Sequence, residues 1–466
     1  MKSVFDFFAG EDEYTDLDIS GAVQRLSQAI QCNTVNYADH SKTDFSGFDR
    51  LQALICSAYP NIMKCGTFEL IGHSVLITIP GEDPSLRPSL YMSHQDVVPV
   101  VEGTERDWVH DAFSGTVADG YIWGRGTLDI KNQVFGILEA VEYLLGHGYV
   151  FQRTAYLAFG DDEETLNLGA RSIAQELRRR GVKLEFLLDE SGGKIQDAAR
   201  YGAPGVYFSE VDLMEKGYAD LELSVQSRGG HSSRPFGGTS LAHLAGAIAD
   251  IVRSPFEVRL PSPLEGTLAA LKDYISQEPL RTLVQDIPSN RRAIAEYCST
   301  VPELFPFVTT TVAPTMIQGG SSACNVMPQN MTAVINFRLN EGDTVQDVLA
   351  HCREAVQDST VSMRYLQAND PSAVARSDGF GYQVLVDSMA HYYRDVVFVP
   401  AITVGGTDAH EYEIICDTCL RCCPFVTENA DAVTGVHGTN ERIPVRTYAQ
   451  GIRVLIRLIM SANIQL

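Results

Sequence analysis

The sequence predicts an α/β protein in which a smaller α+β domain is inserted into a larger α/β/α domain. Up to about residue 217, apolar strand-like runs alternate with amphipathic helix-like runs, which is typical of helices packed against a largely parallel sheet. Between about residues 218 and 370, apolar and polar residues alternate as they do in a half-exposed antiparallel sheet. The first pattern returns from about Tyr382, so the larger domain would comprise residues 1–217 and 371–466.

The predicted elements follow from the period of the apolar residues. Continuous apolar runs predict buried strands, spacings of three and four residues predict helices, and strict alternation predicts half-exposed strands. The predicted strands cover residues 89–93, 154–159, 184–188, 218–226 and 332–339. The predicted helices cover residues 134–145, 169–180 with Gly181 as a C-cap, 240–252 and 445–460, and a proline-rich connection spans residues 255–263.

The composition excludes several classes of protein. Of the 466 residues, 45% are hydrophobic and 20% are charged, so the chain is not globally disordered. Its 36 basic and 59 acidic residues give a net charge of −23, which disfavours binding to nucleic acid and to anionic membranes. The chain shows neither a secretory signal pattern nor an apolar run long enough to span a membrane, so we expect a cytoplasmic protein.

Polar residues cluster directly after three of the predicted buried strands. These clusters are Ser-His-Gln-Asp at residues 93–96, Asp-Asp-Glu-Glu at residues 161–164 and Asp-Glu at residues 189–190. Because open α/β sheets bind ligands beyond the carboxyl ends of their strands, we expect the clusters to share one site. Two glycine-rich segments add Asp129, before a helix, and His437, between glycines.

Histidine and carboxylate side chains in this combination fit a pair of metal ions. Zinc accepts imidazole nitrogen and carboxylate oxygen, and two ions about 3.5–4 Å apart need a carboxylate that bridges them. Glu163 and Glu164 are adjacent, so in an extended backbone one could bind metal while the other faces the attacking water. Each motif alone is typical of a solvated loop or turn, and only their joint occurrence at strand ends favours a catalytic site.

Four sequence motifs carry a resemblance to a known family. They are His-Gln-Asp-Val-Val-Pro at residues 94–99, Gly-Arg-Gly-Thr-Leu-Asp at 124–129, Asp-Glu-Glu at 162–164 and Val-His-Gly-Thr-Asn-Glu at 436–441. The chain resembles the co-catalytic zinc metallopeptidases, which include glutamate carboxypeptidase, aminoacylase and carnosine dipeptidase. It is most similar to the branch that contains Gly-X carboxypeptidase and N-fatty-acyl-amino-acid synthase/hydrolase. The resemblance implies a zinc-peptidase-like catalytic domain and a lid or dimerisation domain at residues 218–370.

This resemblance implies a set of metal ligands. They would be His94 and Asp189 on one ion, Glu164 and His437 on the other, and Asp129 as the bridge between them. Glu190 is an alternative to Asp189, because some relatives place the ligand at that position. The two ions would be Zn²⁺, with Co²⁺ or Mn²⁺ as alternatives, since the ligand types only narrow the choice.

Further residues receive catalytic and substrate-binding roles from the same resemblance. Asp96 would orient the imidazole of His94, and Glu163 would act as the general base. In the inserted domain, His231 would stabilise the oxyanion. Asn325 and Arg338 would hold the backbone and the terminal carboxylate of the substrate, although Arg338 alone would equally suit a salt bridge on a strand face.

The implied activity is hydrolysis of an amide bond next to a free carboxylate, in a dipeptide, a small peptide or an N-acyl amino acid. Members of the family also pair through the lid, so a homodimer is a further expectation. One alternative is a non-catalytic metal-binding or peptide-binding protein with the same fold. A nucleotide-dependent enzyme with magnesium at residues 162–164 ranks last, because no Gly-x4-Gly-Lys-Ser/Thr loop is present to hold phosphates.

Two segments depart from a simple transfer of function. In the loop at residues 405–410, Ala409 and His410 stand where the nearest relatives carry Ser-Arg, so substrate preference is not transferred through it. Cysteines at positions 416, 419, 422 and 423 have spacings that could hold zinc or an iron–sulfur cluster. Their apolar neighbours favour a strand in which the thiols pack as small hydrophobic groups.

Overall fold

The computed structural model describes residues 2–427 and 435–463. Within them the strands are β1 (Thr67–Ile71), β2 (Ser74–Ile79), β3 (Ser89–His94), β4 (Val117–Ala118), β5 (Tyr121–Trp123), β6 (Ala155–Gly160), β7 (Phe186–Asp189), β8 (Gln196–Ala198), β9 (Ala203–Glu215), β10 (Gly217–Gln226), β11 (Gly230–His231), β12 (Thr311–Gly319), β13 (Val326–Met327), β14 (Asn330–Leu339), β15 (Val361–Asn369), β16 (Val396–Thr403), β17 (Cys419–Arg421) and β18 (Arg442–Pro444).

The α-helices of the same residues are α1 (Ile19–Gln31), α2 (Ser46–Ala58), α3 (Pro60–Cys65), α4 (Lys131–Gly146), α5 (Leu168–Arg179), α6 (Ser240–Arg253), α7 (Ser262–Leu271), α8 (Leu280–Leu283), α9 (Ile287–Cys298), α10 (Phe305–Val308), α11 (Val345–Ala355), α12 (Phe380–Tyr392) and α13 (Val445–Ala462). None of these helices combines the length and the apolar character that crossing a membrane requires. A 3₁₀ helix at Asp408–Ile414 also contributes to the site region.

The chain folds into two compact units. The first unit contains the residues up to Leu213, Val374–Ala401 and the residues from Gly406 onward. The second unit contains Met214–Ala373 together with Ile402–Gly405. Residues 402–405 belong to the second unit although they are distant from the rest of it in sequence, and nothing in the hydrophobic pattern indicates this.

The first unit is built on a nine-stranded sheet with the order β1-β2-β6-β3-β7-β17-β9-β16, to which β8 adds by pairing with β9. The four strands β6, β3, β7 and β17 run parallel to one another. The pairs β1–β2, β2–β6 and β17–β9 are antiparallel, so the sheet is mixed rather than largely parallel as predicted. The parallel strands are the ones whose carboxyl ends carry the predicted clusters.

Helices cover both faces of this sheet, which confirms the predicted α/β/α class. On one face, Leu90 and Met92 of β3 pack in a common core with Ile173 of α5. On the other face, Tyr91 packs in a core that includes Ile137 of α4 together with residues of α1, α12 and α13. Because successive side chains of a strand point to opposite faces, an uninterrupted apolar run such as β3 is what a sheet covered on both sides requires.

The second unit contains a four-stranded antiparallel sheet with the order β12-β14-β10-β15. Alternate residues of β10, such as Leu221 and Leu223, are buried against α6 and α11, while the residues between them are half-buried. Strand β12 forms one edge of the sheet, and it exposes Met316 and Ile317. A short separate ribbon pairs β11 with β13.

The four clustered cysteines pack as hydrophobic groups. The predicted strand around them is confined to Cys419–Arg421, and a bend at residues 424–425 follows it. Cys416 and Cys419 lie in the core on the α5 face of the sheet, whereas Cys422 lies in the core on the opposite face. Thiols on opposite faces of one sheet do not converge on one ion, so the packing interpretation is favoured over a metal cluster.

The ring of Phe425 gives a test of packing in the first unit. It lies between α4 and α13, where a methyl group on Gly451 would overlap the ring. We expect Gly451→Ala to lower the free energy of unfolding by about 1–3 kcal/mol, the usual cost of overpacking a core. Urea denaturation provides the measurement. Gly246→Ala in α6 is the control, because its added methyl meets open space and is expected to stabilise by about 0.4–1 kcal/mol. Equal destabilisation by the two substitutions would contradict this account.

Candidate metal centre

His94 is the last residue of β3, and it lies at the centre of the candidate site. Its side chain is almost fully buried, with 1% of it exposed. The Nδ1 atom lies 3.0 Å from the backbone carbonyl of Asp96. An Nδ1–H that donates to this carbonyl leaves Nε2 as the free nitrogen, which is the form that a metal ligand requires.

Asp96 connects the end of β3 to the segment that follows β6. One oxygen of its carboxylate accepts the backbone N–H of Glu163 at 3.2 Å, and the other accepts that of Glu164 at 3.1 Å. Its Oδ1 atom also lies 3.4 Å from Nδ1 of His94. A single fully buried carboxylate therefore positions both glutamates relative to the histidine.

The acidic run at residues 161–164 divides into two pairs with different partners. Asp161 accepts a hydrogen bond from Ser74, and Asp162 accepts the backbone N–H groups of Leu168 and Gly169 at the start of α5. Glu163 and Glu164 lie in a turn, not in the extended backbone that was predicted, because the Asp162 carbonyl accepts N–H groups from the following residues. The two glutamates nevertheless reach different neighbours.

Asp129 lies between the two histidines. Its Oδ1 atom is 3.2 Å from Nε2 of His94, and its Oδ2 atom is 3.1 Å from Nε2 of His437. The residue follows the loop at residues 124–126 and precedes α4, as predicted. One carboxylate that presents one oxygen to each of two imidazoles has the geometry of a bridging ligand.

Glu164 and His437 form the second side of the site. The Oε1 atom of Glu164 lies 3.0 Å from Nε2 of His437. His437 adopts a left-handed backbone conformation with φ of +61°, and about half of its side chain is exposed. The Glu164–His437–Asp129 group is therefore more open to solvent than the group around His94.

Glu190, not Asp189, presents its carboxylate to His94. The Oε1 atom of Glu190 lies 3.1 Å from Nε2 of His94. The Oδ2 atom of Asp189 instead accepts the backbone N–H of Ala409 at 2.9 Å. Of the two adjacent acids, Glu190 is thus favoured as the ligand, and Asp189 holds the 3₁₀ helix that begins at Asp408.

Glu163 lies near the same imidazole but beyond hydrogen-bond distance, since its Oε2 atom is 3.9 Å from Nε2 of His94. Burial raises the pKa of Glu163 well above its usual range, and the negative charges of Glu190 and Asp408 add to this effect. Burial also raises the pKa of Glu190 to about 7. The site therefore concentrates more negative charge than its buried surroundings favour.

The histidines respond in the opposite direction. Burial alone would lower the pKa of His94, but the carboxylates of Glu190, Asp129 and Asp96 outweigh it and raise that pKa well above its usual value. Hydrogen bonds to Asp129 and Glu164 raise the pKa of His437 to about 10. In both histidines the neighbouring carboxylates outweigh the opposing effect of burial and favour the protonated ring.

The donor atoms fit divalent cations. In His94, Asp129 and Glu190, one nitrogen or oxygen atom of each lies within 4.8 Å of the others, and the same holds for Asp129, Glu164 and His437. Imidazole nitrogen with carboxylate oxygen is a usual ligand set for zinc, cobalt or manganese. Asp129 belongs to both groups, so the two sets share one carboxylate.

In the second unit, the β11–β13 ribbon brings His231 and Asn325 together. The Asn325 carbonyl accepts the N–H of Ser232 at 2.9 Å. The Nδ1 atom of His231 accepts the N–H of Ser233 at 3.1 Å, so the proton of the neutral ring resides on Nε2. His231 is exposed and can therefore donate an Nε2–H hydrogen bond to a bound group.

Arg338 does not form the strand-face salt bridge that was the alternative interpretation. Its guanidinium lies over the ring of Tyr218, 4.7 Å from the ring centroid, and donates to the carbonyl of Val404 at 3.3 Å. Within residues 2–427 and 435–463, no carboxylate lies within ion-pair distance of it. The fork of the guanidinium thus keeps donors for a ligand carboxylate.

The loop at residues 405–410, which the resemblance places on the substrate side, is held in part by buried hydrogen bonds. Asp408 is buried, and its Oδ1 atom accepts a hydrogen bond from the Asn167 side chain at 2.8 Å. Ala409 is also buried and donates its N–H to Asp189. His410 is partly exposed, so it is the residue of the three that could still face a ligand.

Three buried charged residues around the site have roles that the sequence analysis missed. Arg125 and Glu441 form an ion pair of 2.7 Å, with side chains that are 2% and 0% exposed. Lys131 is fully buried and donates to the carbonyls of Ala29 and Cys32, near the end of α1. The available signal was their position inside or beside the motifs that contain Asp129 and His437.

A mixed α/β sheet with imidazole and carboxylate groups beyond the ends of its parallel strands is typical of a metal-dependent hydrolase. The chain matches peptidase family M20/M25/M40 over residues 90–461 and belongs to that family. It is a metallopeptidase or a related amidohydrolase, which confirms the enzyme class predicted from the sequence motifs.

Two named relatives agree with this assignment. The chain is 32% identical over 461 residues to the probable carboxypeptidase S-like 2 of Dictyostelium discoideum, covering 97% of this chain and 87% of the relative. It is 32% identical over 450 residues to the N-fatty-acyl-amino acid synthase/hydrolase PM20D1 of Homo sapiens, covering 94% and 87%. Both relatives belong to the branch that the resemblance indicated.

Solved structures support the fold. An M20 family metallo-carboxypeptidase from Sulfolobus solfataricus superposes with a TM-score of 0.64 at 16% identity, covering 95% of this chain and 99% of that chain. Human carnosine dipeptidase 1 superposes with a TM-score of 0.60 at 16% identity, covering 97% and 98%. At this identity the likeness concerns the fold alone.

The raised pKa of His437 predicts a pH dependence of the metal-free protein. The folded value is about 10, whereas the ordinary value is 6.5, so protonated His437 stabilises the fold below pH 6.5. This contribution is lost as the pH rises toward 10. With metal removed by a chelator, we expect the stability advantage of the wild type over His437→Gln to shrink between these pH values. Urea midpoints of both proteins measure it, and a difference that stays constant would contradict the assignment.

Proposed function

We propose that this protein is a two-metal hydrolase that cleaves an amide bond next to a free carboxylate. The observation that carries the proposal is the position of Asp129, which presents one oxygen to His94 and the other to His437. Such a carboxylate suits two neighbouring cations, because each of its two oxygens can bind one of them. His94 and Glu190 would complete one cation site, and Glu164 and His437 the other.

Zn²⁺ is the proposed metal, and Co²⁺ or Mn²⁺ can occupy the same ligands. Bound there, the two cations would polarise the scissile carbonyl and lower the pKa of water toward neutrality. Glu163 accepts the proton of the attacking water and passes it to the leaving amine. Burial raises the pKa of Glu163, and a raised pKa makes a carboxylate a stronger proton acceptor.

The second unit is proposed to act as a lid. His231 would donate its Nε2–H to the oxyanion, and Asn325 would hold the substrate backbone. The likeness of the chain to other M20 proteins supports this role, together with the tautomer that Ser233 imposes on His231. The exposed edge strand β12 offers a surface for the homodimer that the resemblance implies.

The substrate is proposed to be a dipeptide, a small peptide or an N-acyl amino acid. The named relatives are a carboxypeptidase S-like protein and an N-fatty-acyl-amino acid synthase/hydrolase, and both names describe amides with a neighbouring carboxylate. Arg338 is the proposed partner of that carboxylate, because its guanidinium faces no carboxylate of the described chain.

The general base is tested by Glu163→Gln, which keeps the size of the side chain and removes its ability to accept a proton. We expect turnover of N-acyl amino acids and dipeptides to fall by about 10²- to 10⁴-fold. Metal content, measured by elemental analysis, should stay at the wild-type value. Glu411→Gln is the matched control, since Glu411 pairs with Arg171 on the surface and touches no ligand of the centre. Wild-type turnover by Glu163→Gln would exclude Glu163 as the base.

The carboxylate partner is tested by Arg338→Ala. We expect kcat/KM to fall by about 10- to 100-fold for substrates with a free carboxylate, since a charge-assisted hydrogen bond contributes roughly 1.5–3 kcal/mol. Substrates whose carboxylate is amidated should lose little. Arg364→Ala is the control. Arg364 lies on the edge strand β15 of the same sheet and pairs with Glu222 of β10. An equal loss for free and amidated substrates would rule out carboxylate recognition by Arg338.

A further inference from the structure

The carboxylate of Glu441 organises the loop that presents Asp129. Its Oε1 atom accepts three backbone N–H groups, from Gly126 at 3.0 Å, Leu128 at 2.7 Å and Asp129 itself at 3.2 Å. The Glu441 side chain is fully buried. The loop thus wraps around a single oxygen atom, and the backbone nitrogen of Asp129 is one of the groups that this atom fixes.

Arg125 completes the arrangement from the other side. Its Nη1 atom donates to Oε2 of Glu441 at 2.7 Å, and its Nη2 atom donates to the backbone carbonyl of His437 at 3.2 Å. The guanidinium packs over the ring of Trp108, 5.5 Å from the ring centroid. One side chain therefore binds both the anion that holds Asp129 and the main chain that carries His437.

The two sides of the metal centre differ in how their ligands are held. His94 ends β3 and Glu190 directly follows β7, so paired strands of the central sheet support both. His437 has no such support, because it lies in a turn with a left-handed backbone and a half-exposed side chain. Its position depends on local contacts, and the bond from Arg125 is one that reaches its main chain.

We propose that the buried Arg125–Glu441 pair sets the distance between Asp129 and His437 and thereby determines the affinity of the second metal site. Arg125 and Glu441 are positioning residues that contact the ligand loops and not the metal. The proposal rests on the two-metal function proposed above and adds to it that the sites differ in their dependence on this ion pair. Asp129 belongs to both sites, so loss of the pair affects each of them. The His94 site keeps His94 and Glu190 at the ends of paired strands, so it is weakened less than the Asp129–Glu164–His437 site.

Glu441→Gln is the variant of choice, because an amide has one acceptor where the carboxylate has two. If its oxygen faces the three N–H groups, its NH₂ faces the Arg125 guanidinium, and two donors oppose each other. If it is turned round, the three N–H groups lose their acceptor. Both orientations release the Asp129 loop or Arg125, while the side chain keeps its size.

The experiment begins with native protein from which metal has been removed by a chelator. This protein is titrated with Co²⁺, and binding is followed by calorimetry and by visible absorption. For the wild type we expect two bound ions. For Glu441→Gln we expect one ion to bind about 10- to 100-fold more weakly, the usual effect of removing a group that holds a ligand, and the other ion to lose much less affinity. In this variant, the visible absorption that the second equivalent of Co²⁺ adds in the wild type should appear only at higher Co²⁺ concentrations.

The matched control is Glu139→Gln. Glu139 is also a buried glutamate in the first unit, paired with Arg25 at 2.6 Å and bound to the Tyr59 hydroxyl, and it contacts none of the proposed ligands. Both variants lose an ion pair and should lose stability in urea. A general loss of stability would affect both titrations alike, so a weakened second ion in Glu441→Gln alone supports the proposal.

Arg125→Lys keeps the proposal testable if Glu441→Gln does not fold. A lysine retains positive charge beside Glu441, but its single ammonium cannot replace the fork that spans Glu441 and the His437 carbonyl. The same selective weakening of the second ion is expected. Two ions bound with wild-type affinity by either folded variant would overturn the proposal. A wild type that binds fewer than two ions would instead defeat the two-metal function, so the two failures are distinguishable.

Discussion

Crowding of carboxylates in a buried site is the constraint on which the rest of this structure depends. Asp129, Glu163, Glu164 and Glu190 converge on two imidazoles, and in the absence of cations the imidazoles become the counter-charges. Like charges at short range in a region of low dielectric are strongly unfavourable. The arrangement therefore favours the binding of cations, whose positive charge would balance the carboxylates.

Three further buried carboxylates hold the loops around this site by accepting hydrogen bonds from backbone N–H groups. Asp96 binds the N–H groups of the glutamate turn, Asp162 binds those at the start of α5, and Glu441 binds those of the Asp129 loop. Burial raises the pKa of Asp162 and of Glu441, and the backbone N–H groups that they accept act in the opposite direction. The loops are thus held by carboxylates that are not among the donor groups around His94 and His437.

Much of the fold was predictable because period and burial are coupled. The uninterrupted apolar run of β3 and the alternation of β10 follow from two-sided and one-sided burial, and both elements appear where the sequence predicts them. The order and direction of strands were less accessible. Antiparallel pairing of β2 with β6 leaves no mark on the period of either strand, so the mixed sheet could not be derived from it.

The types of residue in the site were predictable from the sequence, but which side chains face the centre was less so. Whether Asp189 or Glu190 faces His94 is decided by where β7 ends and by an N–H group from Ala409, 220 residues further along the chain. The turn at Glu163 and Glu164 is decided by the Asp162 carbonyl and by Asp96. Such long-range hydrogen bonds have no local sequence signal, and the roles of Arg125 and Glu441 were missed for the same reason.

The contact between Arg338 and Tyr218 has a consequence for recognition of small anions. A free arginine side chain samples many rotamers, and ordering it costs up to about 2 kcal/mol. Here the aromatic ring and the Val404 carbonyl already restrict the guanidinium in the folded chain. An incoming anion would meet a plane of donors with little rotational freedom left to lose, and this pre-ordering distinguishes an arginine at this position from a flexible cation of equal charge.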